Sequence, residues 1–214
     1  QTGENGIYEL IQKYNSTDLK KYFKELLDHA ERITRNAITK IPDGNYKFTD
    51  YMDCDGVEIT KVLIKVEVRI KGDSVTVDTS GSAPQVQGAI NSTYSMTKAV
   101  SYFAIRSIIK EDMPNNGGFF RPIKVISEEG SIMQSVLPAA SGARGVTLLR
   151  LGDAVLGALS KAVPDRVSAA NEGGPTLYSF GGYDHLQNPF IFVEIFGGSW
   201  GGRPNKDGVD GIGH

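Results

Sequence analysis

The residues with the most chemistry in this sequence are crowded into its last eighteen positions, 197–214. This segment holds the only Trp of the chain and seven glycines, together with Arg203, Asp207, Asp210 and His214. Dense glycine leaves the backbone much freedom to lose on folding, which suits places where positive φ or a close backbone approach is needed. The composition argues against an ordinary helix or strand and predicts a site. The alternative is a flexible glycine-rich tail.

Composition places the chain among ordinary globular proteins. Of its 214 residues, 40% are hydrophobic and 22% are charged, and the formal net charge of −2 lacks the basic character expected for nucleic-acid binding. No apolar run approaches the roughly 20 residues that span a bilayer, and the N-terminus has no signal-peptide pattern. The single cysteine, Cys54, fits a reducing compartment. We therefore expect a cytoplasmic protein with no nucleic-acid and no membrane partner.

Both ends of the sequence predict a piece of a longer polypeptide. The chain begins at Gln1 without a Met and enters a helical pattern within a few residues. It stops at His214, inside the segment that carries most of its chemistry. We expect further sequence on both sides.

Hydrophobic periodicity predicts two helices at the start of the chain. Apolar residues at helical spacing cover 7–14, and several N-cap candidates follow at 15–18. A longer amphipathic helix then runs to about Ile41, where Pro42 stops it.

From Gly44 the hydrophobic period changes to two. The segment 62–70 alternates cleanly, 71–73 turns the chain, and 75–77 continues the pattern back, as in a half-exposed antiparallel sheet. Three acidic residues before this hairpin lack the spacing of a calcium-binding loop and are interpreted as a solvated turn: Asp53, Asp55 and Glu58.

The second part of the chain alternates helices, short strands and loops. The pattern predicts helices over 95–110 and 148–163, a tight loop at 115–118 and a short strand over 121–126. A final strand, 189–195, is apolar almost throughout, which predicts burial on both of its faces.

These patterns together indicate an α+β fold, with an antiparallel or mixed sheet, three main helices and glycine-rich loops. Two sub-regions are expected within 1–214. Residues 1–84 would form a helical hairpin and a β-hairpin, and 85–214 would combine helices, strands and glycine loops.

Five separated stretches form an ordered set of motifs: ELLDHAER at 25–32, IPDGNY at 41–46, VDTSGSAPQVQGAIN at 77–91, NGGFFRPI at 116–123, and GGSWGGR at 197–203 with DGVDG at 207–211. In their order and approximate spacing they resemble the hydantoinase B/oxoprolinase family, and the resemblance extends over essentially the whole chain. Family subunits are far longer than this sequence. The resemblance therefore implies that 1–214 is the central portion of such a subunit.

The resemblance implies an ATP-dependent enzyme that opens cyclic amides. Members are B-type subunits of N-methylhydantoinases, 5-oxoprolinases and related lactamases, and they act with an A-type ATP-binding subunit that phosphorylates the small-molecule substrate. ATP would then act through that partner, and a divalent metal would belong to the full subunit, without assigned ligands in 1–214. The remainder of its own subunit is a further expected partner. A subunit of an acetone or acetophenone carboxylase and a non-catalytic assembly domain are the alternatives.

The resemblance also implies where a site would lie. Substrate-binding residues would be Asn91, Asn116, Gly117, Arg121, Arg144, Gly197, Gly198, Gly201 and Arg203. The arginines would contact an anion or oxyanion, and the asparagines would orient the substrate. Catalytic candidates are Glu194, Asp207, Asp210 and His214. The last three would be general bases or their supporting groups, and His214 is also a metal-ligand candidate, without a diagnostic spacing.

Each of these residues has a structural alternative. An arginine before proline, as at Arg121, pairs readily with a carboxylate, and the Asn-Gly-Gly loop beginning at Asn116 turns the chain in many proteins. Asn91, Ser92 and Thr93 are well placed as caps of the helix that follows, so local backbone capping is their structural alternative. Asp-Gly pairs are common turn formers.

Overall fold

In the computed structural model, which describes residues 1–174 and 176–212, two helices lead the chain: α1, Thr2–Tyr14, and α2, Ser16–Ile38. Asn15 caps α2, because its side-chain oxygen accepts hydrogen bonds from two backbone N–H groups of the first turn at 3.1 and 3.0 Å. The predicted capping region is confirmed. The helix ends earlier than expected, and the chain continues in a tighter turn to Ile41, whose N–H donates to the carbonyl of Ile38 at 2.9 Å.

A four-stranded mixed sheet forms the centre of the fold. Its strands lie in chain order: β1, Gly44–Met52; β2, Val62–Lys71; β3, Ser74–Asp78; and β4, Ile123–Ile126. The first three strands run antiparallel, and β4 runs parallel to β3. Every second residue of β2 is buried, and those between are half-buried or exposed. The alternation predicted for a half-exposed hairpin is thereby confirmed.

Three further helices complete the main body: α3, Tyr94–Ile108; α4, Gly117–Phe120; and α5, Arg144–Leu159. Buried apolar side chains of α2, α3 and α5 join those of the sheet in one core cluster. Burial of this apolar surface is the main driving force for the fold. The α+β class with a mixed sheet and three main helices is confirmed, although α5 begins and ends before the predicted 148–163.

A separate hairpin consists of β5, Thr176–Tyr183, and β6, Pro189–Phe196. All eight residues of β6 are exposed, so the predicted burial of this strand on both faces is wrong for the described part of the chain. The reason is that its neighbour in the sheet is β5 alone, and both faces remain open. The apolar sequence of β6 thus gives two uncovered hydrophobic faces.

The glycine-rich end of the chain contains the last two strands, β7, Gly198–Trp200, and β8, Val209–Ile212. They pair antiparallel in a third small sheet. The expectation that this segment contains no strand is therefore wrong. Gly198 and Gly211 lie within these strands, and Gly201, Gly202 and Gly208 lie in the stretch between them.

Asp55 corrects the interpretation of the early acidic residues as a solvated turn. Its side chain is buried and accepts hydrogen bonds from the backbone N–H groups of Glu58, Val57 and Gly88 at 2.7, 2.9 and 2.9 Å. These donors hold the pKa of Asp55 below its ordinary value. The carboxylate fixes its own loop against the loop of Gly88, whereas Asp53 and Glu58 are exposed as expected.

The contact between α4 and α2 requires a glycine at one position and predicts a matched pair of variants. A Cβ at Gly118 would overlap the backbone carbonyl of Leu27, whereas a Cβ at Gly117 would lie 3.6 Å from the Leu27 Cδ2. We predict that Gly118→Ala lowers the free energy of unfolding by about 2 kcal/mol, and that Gly117→Ala leaves it unchanged or slightly raised. Denaturant unfolding of both variants measures the difference. Equal stabilities would contradict the close packing of α4.

Candidate functional site

The glycine-rich segment 197–212 folds as a hairpin. Trp200 on β7 lies opposite Val209 on β8. Between the strands, the backbones of Arg203 and Lys206 exchange hydrogen bonds at 2.8 and 3.2 Å and close a tight turn. The aromatic ring and the guanidinium are therefore carried by one short unit, which we call the glycine hairpin.

The glycine hairpin is held by a neighbouring segment, residues 169–174, which we call the strap. The N–H of Ala169 donates to the carbonyl of Gly202 at 2.8 Å. The N–H of Gly201 donates to Asn171 Oδ1 at 3.4 Å. These bonds use backbone groups of the hairpin that its own short strands leave free.

Two glycines of the hairpin lie against the strap, one against its backbone and one against a side chain. A Cβ at Gly201 would overlap the backbone carbonyl of Ala169, and a Cβ at Gly198 would overlap the carboxyl group of Glu172. Close backbone approach, the physical reason predicted for the dense glycine, is confirmed at Gly201, whereas the neighbour of Gly198 is the end of a flexible side chain.

Arg150 on α5 ties the strap to the main sheet. Its guanidinium lies 3.2 Å from the carboxylate of Asp50 on β1 and 2.5 Å from that of Asp153, one turn further along α5. Asn171 Nδ2 donates to the same Asp153 carboxylate at 3.2 Å. Gly173, at φ +88°, lies so close to the guanidinium that a Cβ would overlap it. The sheet, α5, the strap and the hairpin are thus joined by one set of polar contacts.

A cavity of about 240 Å³ lies between α3, α5 and the glycine hairpin. Most of its wall is apolar, with contributions from both helices and from the hairpin: Val100, Phe103, Leu148, Leu156 and Trp200. Its charged and amide groups converge on the same space: Asp153, Arg166, Asn171 and Arg203. An apolar pocket with a few convergent polar groups is the usual form of a small-molecule site.

The charged groups give this cavity a cationic character. Arg166 Nε is buried without a hydrogen-bond partner among the described residues. The guanidinium of Arg203 makes no ion pair or hydrogen bond within the described part of the chain. The carboxylate of Asp153 is already bound by Arg150 and Asn171. The two lining arginines are therefore available to an anion.

A second cavity, of about 550 Å³, adjoins the first and shares Leu148 and Leu149 with it. Gly197, Gly198 and Glu172 line this second space. The structure thus places Gly197 and Gly198 at the second cavity and Arg203 at the first, whereas Gly201 lines neither and packs against Ala169. Their role in substrate binding stays a prediction.

Asn91 lies elsewhere and holds a loop together. It is fully buried, its Oδ1 accepts from the N–H of Val86 at 2.8 Å, and its Nδ2 donates to the carbonyls of Val86, Gly88 and Ala140 at 2.8, 3.0 and 2.8 Å. The N-cap residue of α3 is Thr93, one of the three predicted candidates, although its side chain makes no capping hydrogen bond. Asn91 itself bonds the backbone of its own loop and does not cap the helix. These contacts account for Asn91 without a ligand.

Asn116 and Gly117 lie where α4 meets α2, and neither lines the two cavities described above. Asn116 caps α4, since its Oδ1 accepts from the N–H of Gly118 at 2.8 Å, and its Nδ2 donates to the carbonyl of Leu26 on α2 at 3.2 Å. Both ends of this amide are used in packing two helices together. The predicted loop at 115–118 therefore includes a helix start.

Arg121 joins the same contact through two ion pairs. Its Nη1 lies 2.7 Å from the Asp28 carboxylate and 2.8 Å from that of Glu31. Hydrogen bonds from Lys24 and Arg121 hold the pKa of Asp28 below its ordinary value, and those from Arg121 and Arg35 do the same for Glu31. The alternative predicted for this arginine, pairing with a carboxylate, is confirmed.

Arg144 and Glu194 lie apart from each other and from these pairs. Arg144 is the first residue of α5, and its Nη1 donates to the carbonyl of Ser141 at 2.9 Å. Glu194 is exposed on β6, opposite Tyr178 of β5. Neither lines the cavity that holds Arg166 and Arg203.

The remaining catalytic candidates are Asp207 and Asp210, which are exposed on the glycine hairpin, and His214, which lies outside the described residues. Within 1–174 and 176–212, no group of three or more His, Cys, Asp or Glu side chains is arranged to hold a metal ion. The divalent metal implied by the resemblance has no ligand set in this part of the chain. No chemical step is therefore assigned to a metal.

Four residues of the site were not predicted from the sequence: Arg150, Asp153, Arg166 and Asn171. Arg150 and Asp153 carried a usable signal, because they are a charged pair three residues apart within an otherwise apolar helical pattern. Arg166 and Asn171 follow that helix in a stretch without periodicity. Only the path of the chain brings them to the cavity.

The family of this chain follows from a comparison along its full length. The family model described as hydantoinase B/oxoprolinase matches residues 1–214. The chain belongs to the hydantoinase B/oxoprolinase family. It is 33% identical to the putative B-type subunit of a D-/L-hydantoinase from Pseudomonas sp. (strain NS671), over 98% of this chain and 37% of the relative.

Solved structures agree with the family. The ATP-dependent caprolactamase from Pseudomonas jessenii matches 99% of this chain with a TM-score of 0.85 and 27% identity, over 37% of its own chain. An acetone carboxylase matches 94% of this chain, and 29% of its own, with a TM-score of 0.77 and 16% identity, which shows a shared fold. This hydantoinase B/oxoprolinase chain thus spans roughly a third of the length of these relatives. Among its described helices, none has the length and apolar character needed to cross a membrane.

The ion pairs of Arg121 predict a specific dependence of stability on pH. Because the pKa values of Asp28 and Glu31 are lowered in the folded state, their contribution is present above the ordinary carboxyl pKa of about 4 and is lost as the pH falls through the lowered values. We predict that Arg121→Met lowers the melting temperature most near pH 7, and that the difference from the wild type shrinks towards about pH 2.

Thermal unfolding followed by circular dichroism across this pH range measures the effect. Arg32→Met is the matched control, because Arg32 is exposed on α2, the helix that carries Asp28 and Glu31, and makes no ion pair with a described residue. A difference for Arg121→Met that stays constant with pH would show that the ion pairs are not its cause.

Proposed function

We propose that residues 1–214 form part of the B-type subunit of an ATP-dependent cyclic-amide hydrolase, which opens a lactam or hydantoin ring at its C–N bond. The observation that carries the proposal is the structural similarity to the ATP-dependent caprolactamase, with a TM-score of 0.85 over 99% of this chain. The 33% identity to a hydantoinase subunit supports the same class of reaction.

The chemistry explains why such an enzyme needs ATP. Resonance between nitrogen and carbonyl makes an unstrained cyclic amide a poor electrophile. An A-type partner that phosphorylates the amide oxygen would convert it into an activated group. The subunit that contains this chain would then hold an anionic intermediate, stabilise the charge that develops on oxygen, and admit one water to the carbon.

The cavity beside α5 is the part of this chain best suited to the anionic intermediate. Arg166 and Arg203 line it without ion-pair partners among the described residues, and guanidinium groups form strong charge-assisted hydrogen bonds with phosphate and carboxylate oxygens. Asp207, Asp210 and Glu194 remain candidate general bases. All three are exposed, so this role requires cover from polypeptide outside 1–214.

The proposed partners are the A-type ATP-binding subunit, through which ATP would act, and the remainder of the chain's own subunit, in the cytoplasm. A second candidate function for this part is assembly without catalysis. The exposed apolar side chains of the β5–β6 hairpin favour it, since Ile191 is 80% and Ile195 is 64% exposed. Open hydrophobic faces of this kind are typical of protein contacts.

The test uses the complete B-type subunit with its A-type partner. ATP hydrolysis and ring opening are measured with hydantoin, 5-oxoproline and caprolactam. We predict that one or more of these rings stimulates ATP hydrolysis, and that Arg203→Ala lowers kcat/KM for ring opening by roughly tenfold or more, as expected for loss of a charge-assisted contact. Arg32→Ala is the control and should leave kcat/KM unchanged.

Other outcomes would replace the proposal. Turnover of a ketone that depends on bicarbonate, without ring opening, would identify a carboxylase subunit. Full activity of Arg203→Ala, together with binding of the A-type partner by 1–214, would make assembly the role of this part.

A further inference from the structure

One end of the cavity between α3, α5 and the glycine hairpin carries unused positive charge. Arg166 Nε is buried and has no hydrogen-bond partner among the described residues. Glu111 is close enough for Arg166 to help lower its pKa, but the main cause of that lowering is the hydrogen bond from Lys40, at 2.5 Å. The Arg203 guanidinium also reaches the cavity without a described partner. Two lining guanidinium groups without ion-pair partners among the described residues favour a ligand that carries an oxyanion.

The rest of the cavity suits an apolar body. Phe103 and Leu156 line it, and Trp200 contributes its ring from the hairpin. The volume of about 240 Å³ suits a compact ring or short chain. A cationic ligand is disfavoured in this cavity, because its lining carboxylate, Asp153, is already bound by Arg150 and Asn171.

We propose that this cavity is a binding site for a small organic anion, a compact apolar ring or chain that bears one carboxylate or phosphate group. The oxyanion binds Arg166 and Arg203, and the apolar part packs against Phe103 and Trp200. The ligand class follows from the cavity alone. The identity of the natural ligand, in contrast, rests on the proposed function. There, ring opening of a small cyclic amide releases a carboxylate that would fit this cavity.

The experiment uses the fluorescence of Trp200, which is the only Trp of the 214-residue chain and lines the cavity. The chain is titrated with cyclohexanecarboxylate, with cyclohexyl phosphate and with inorganic phosphate. Cyclohexanecarboxamide, which has the same shape as the carboxylate and no charge, is the control ligand. We expect saturable binding of one or both organic anions, and binding of the carboxamide and of inorganic phosphate that is weaker by roughly tenfold or more.

Two variants test the assigned contacts. Arg166→Gln and Arg203→Gln should each raise the Kd of the organic anion by roughly tenfold, while Arg32→Gln should leave it unchanged. Arg203 is exposed, so its variant is expected to fold even if Arg166→Gln does not, and circular dichroism checks both. A stronger response to the phosphate ester or to the carboxylate identifies which oxyanion the site prefers.

Saturable binding that is equal for carboxylate and carboxamide, or unchanged in Arg203→Gln, would overturn the proposal, as would the absence of binding by either organic anion. The assay contains neither ATP nor a partner subunit. Failure of anion binding with intact ring opening would reject this site alone, and anion binding without ring opening would reject the hydrolase proposal alone.

Discussion

The placement of the glycine hairpin depends on one arginine inside the protein. Arg150 reaches the main sheet at Asp50 and α5 at Asp153, and the strap passes directly over it at Gly173. The side chains of Arg150 and Asp153 are only 20% and 8% exposed, so solvent and salt screen this pair less than a surface pair. Removing the guanidinium would leave two partly buried carboxylates without this counter-charge, which is strongly destabilising in protein interiors.

Arg150 is linked to the cavity through a short series of hydrogen bonds. Asn171 binds Asp153 on one side and receives the N–H of Gly201 on the other. The strap therefore fixes the hairpin relative to α5. Trp200 and Arg203 are placed at the cavity because the hairpin is held, and glycine at the contact points allows the two backbones to approach. Polar contacts and small residues here act together, since neither alone would fix the hairpin.

Local patterns predicted the parts of the fold that local physics determines. The alternation of β2 and the capping of α2 within 15–18 follow from residue types over a few positions, and both were predicted. The strand β6 was placed correctly, but its burial was not, because burial depends on what covers a strand rather than on its own sequence. Asp55 was misjudged for the same reason, since one of its three donors, Gly88, comes from a distant loop.

In the candidate site too, local sequence predicted some features, and others depend on contacts between distant residues. The density of glycine at 197–214 pointed to close backbone contacts, which the structure contains at Gly201. The family resemblance pointed to Arg203, which lines the cavity. Asn91 and Arg121 share residue type with real ligand-binding groups, yet their partners are backbone carbonyls and helix carboxylates. Residue type alone does not distinguish a side chain whose hydrogen bonds are already made within the protein from one that is available to a ligand. Arg166 is available, and no sequence pattern marks it.

Hydrogen–deuterium exchange of Arg150→Met, compared with the wild-type chain, tests the central role of this arginine most directly. Loss of the anchor should speed the exchange of backbone amides in the strap and in β7 and β8, while amides of β2 in the core keep their protection. Arg32→Met, which removes an arginine that has no ion pair with a described residue, should change neither region. Unchanged exchange in the strap and hairpin of Arg150→Met, or equal acceleration throughout the chain, would contradict the view that Arg150 positions the hairpin at the cavity.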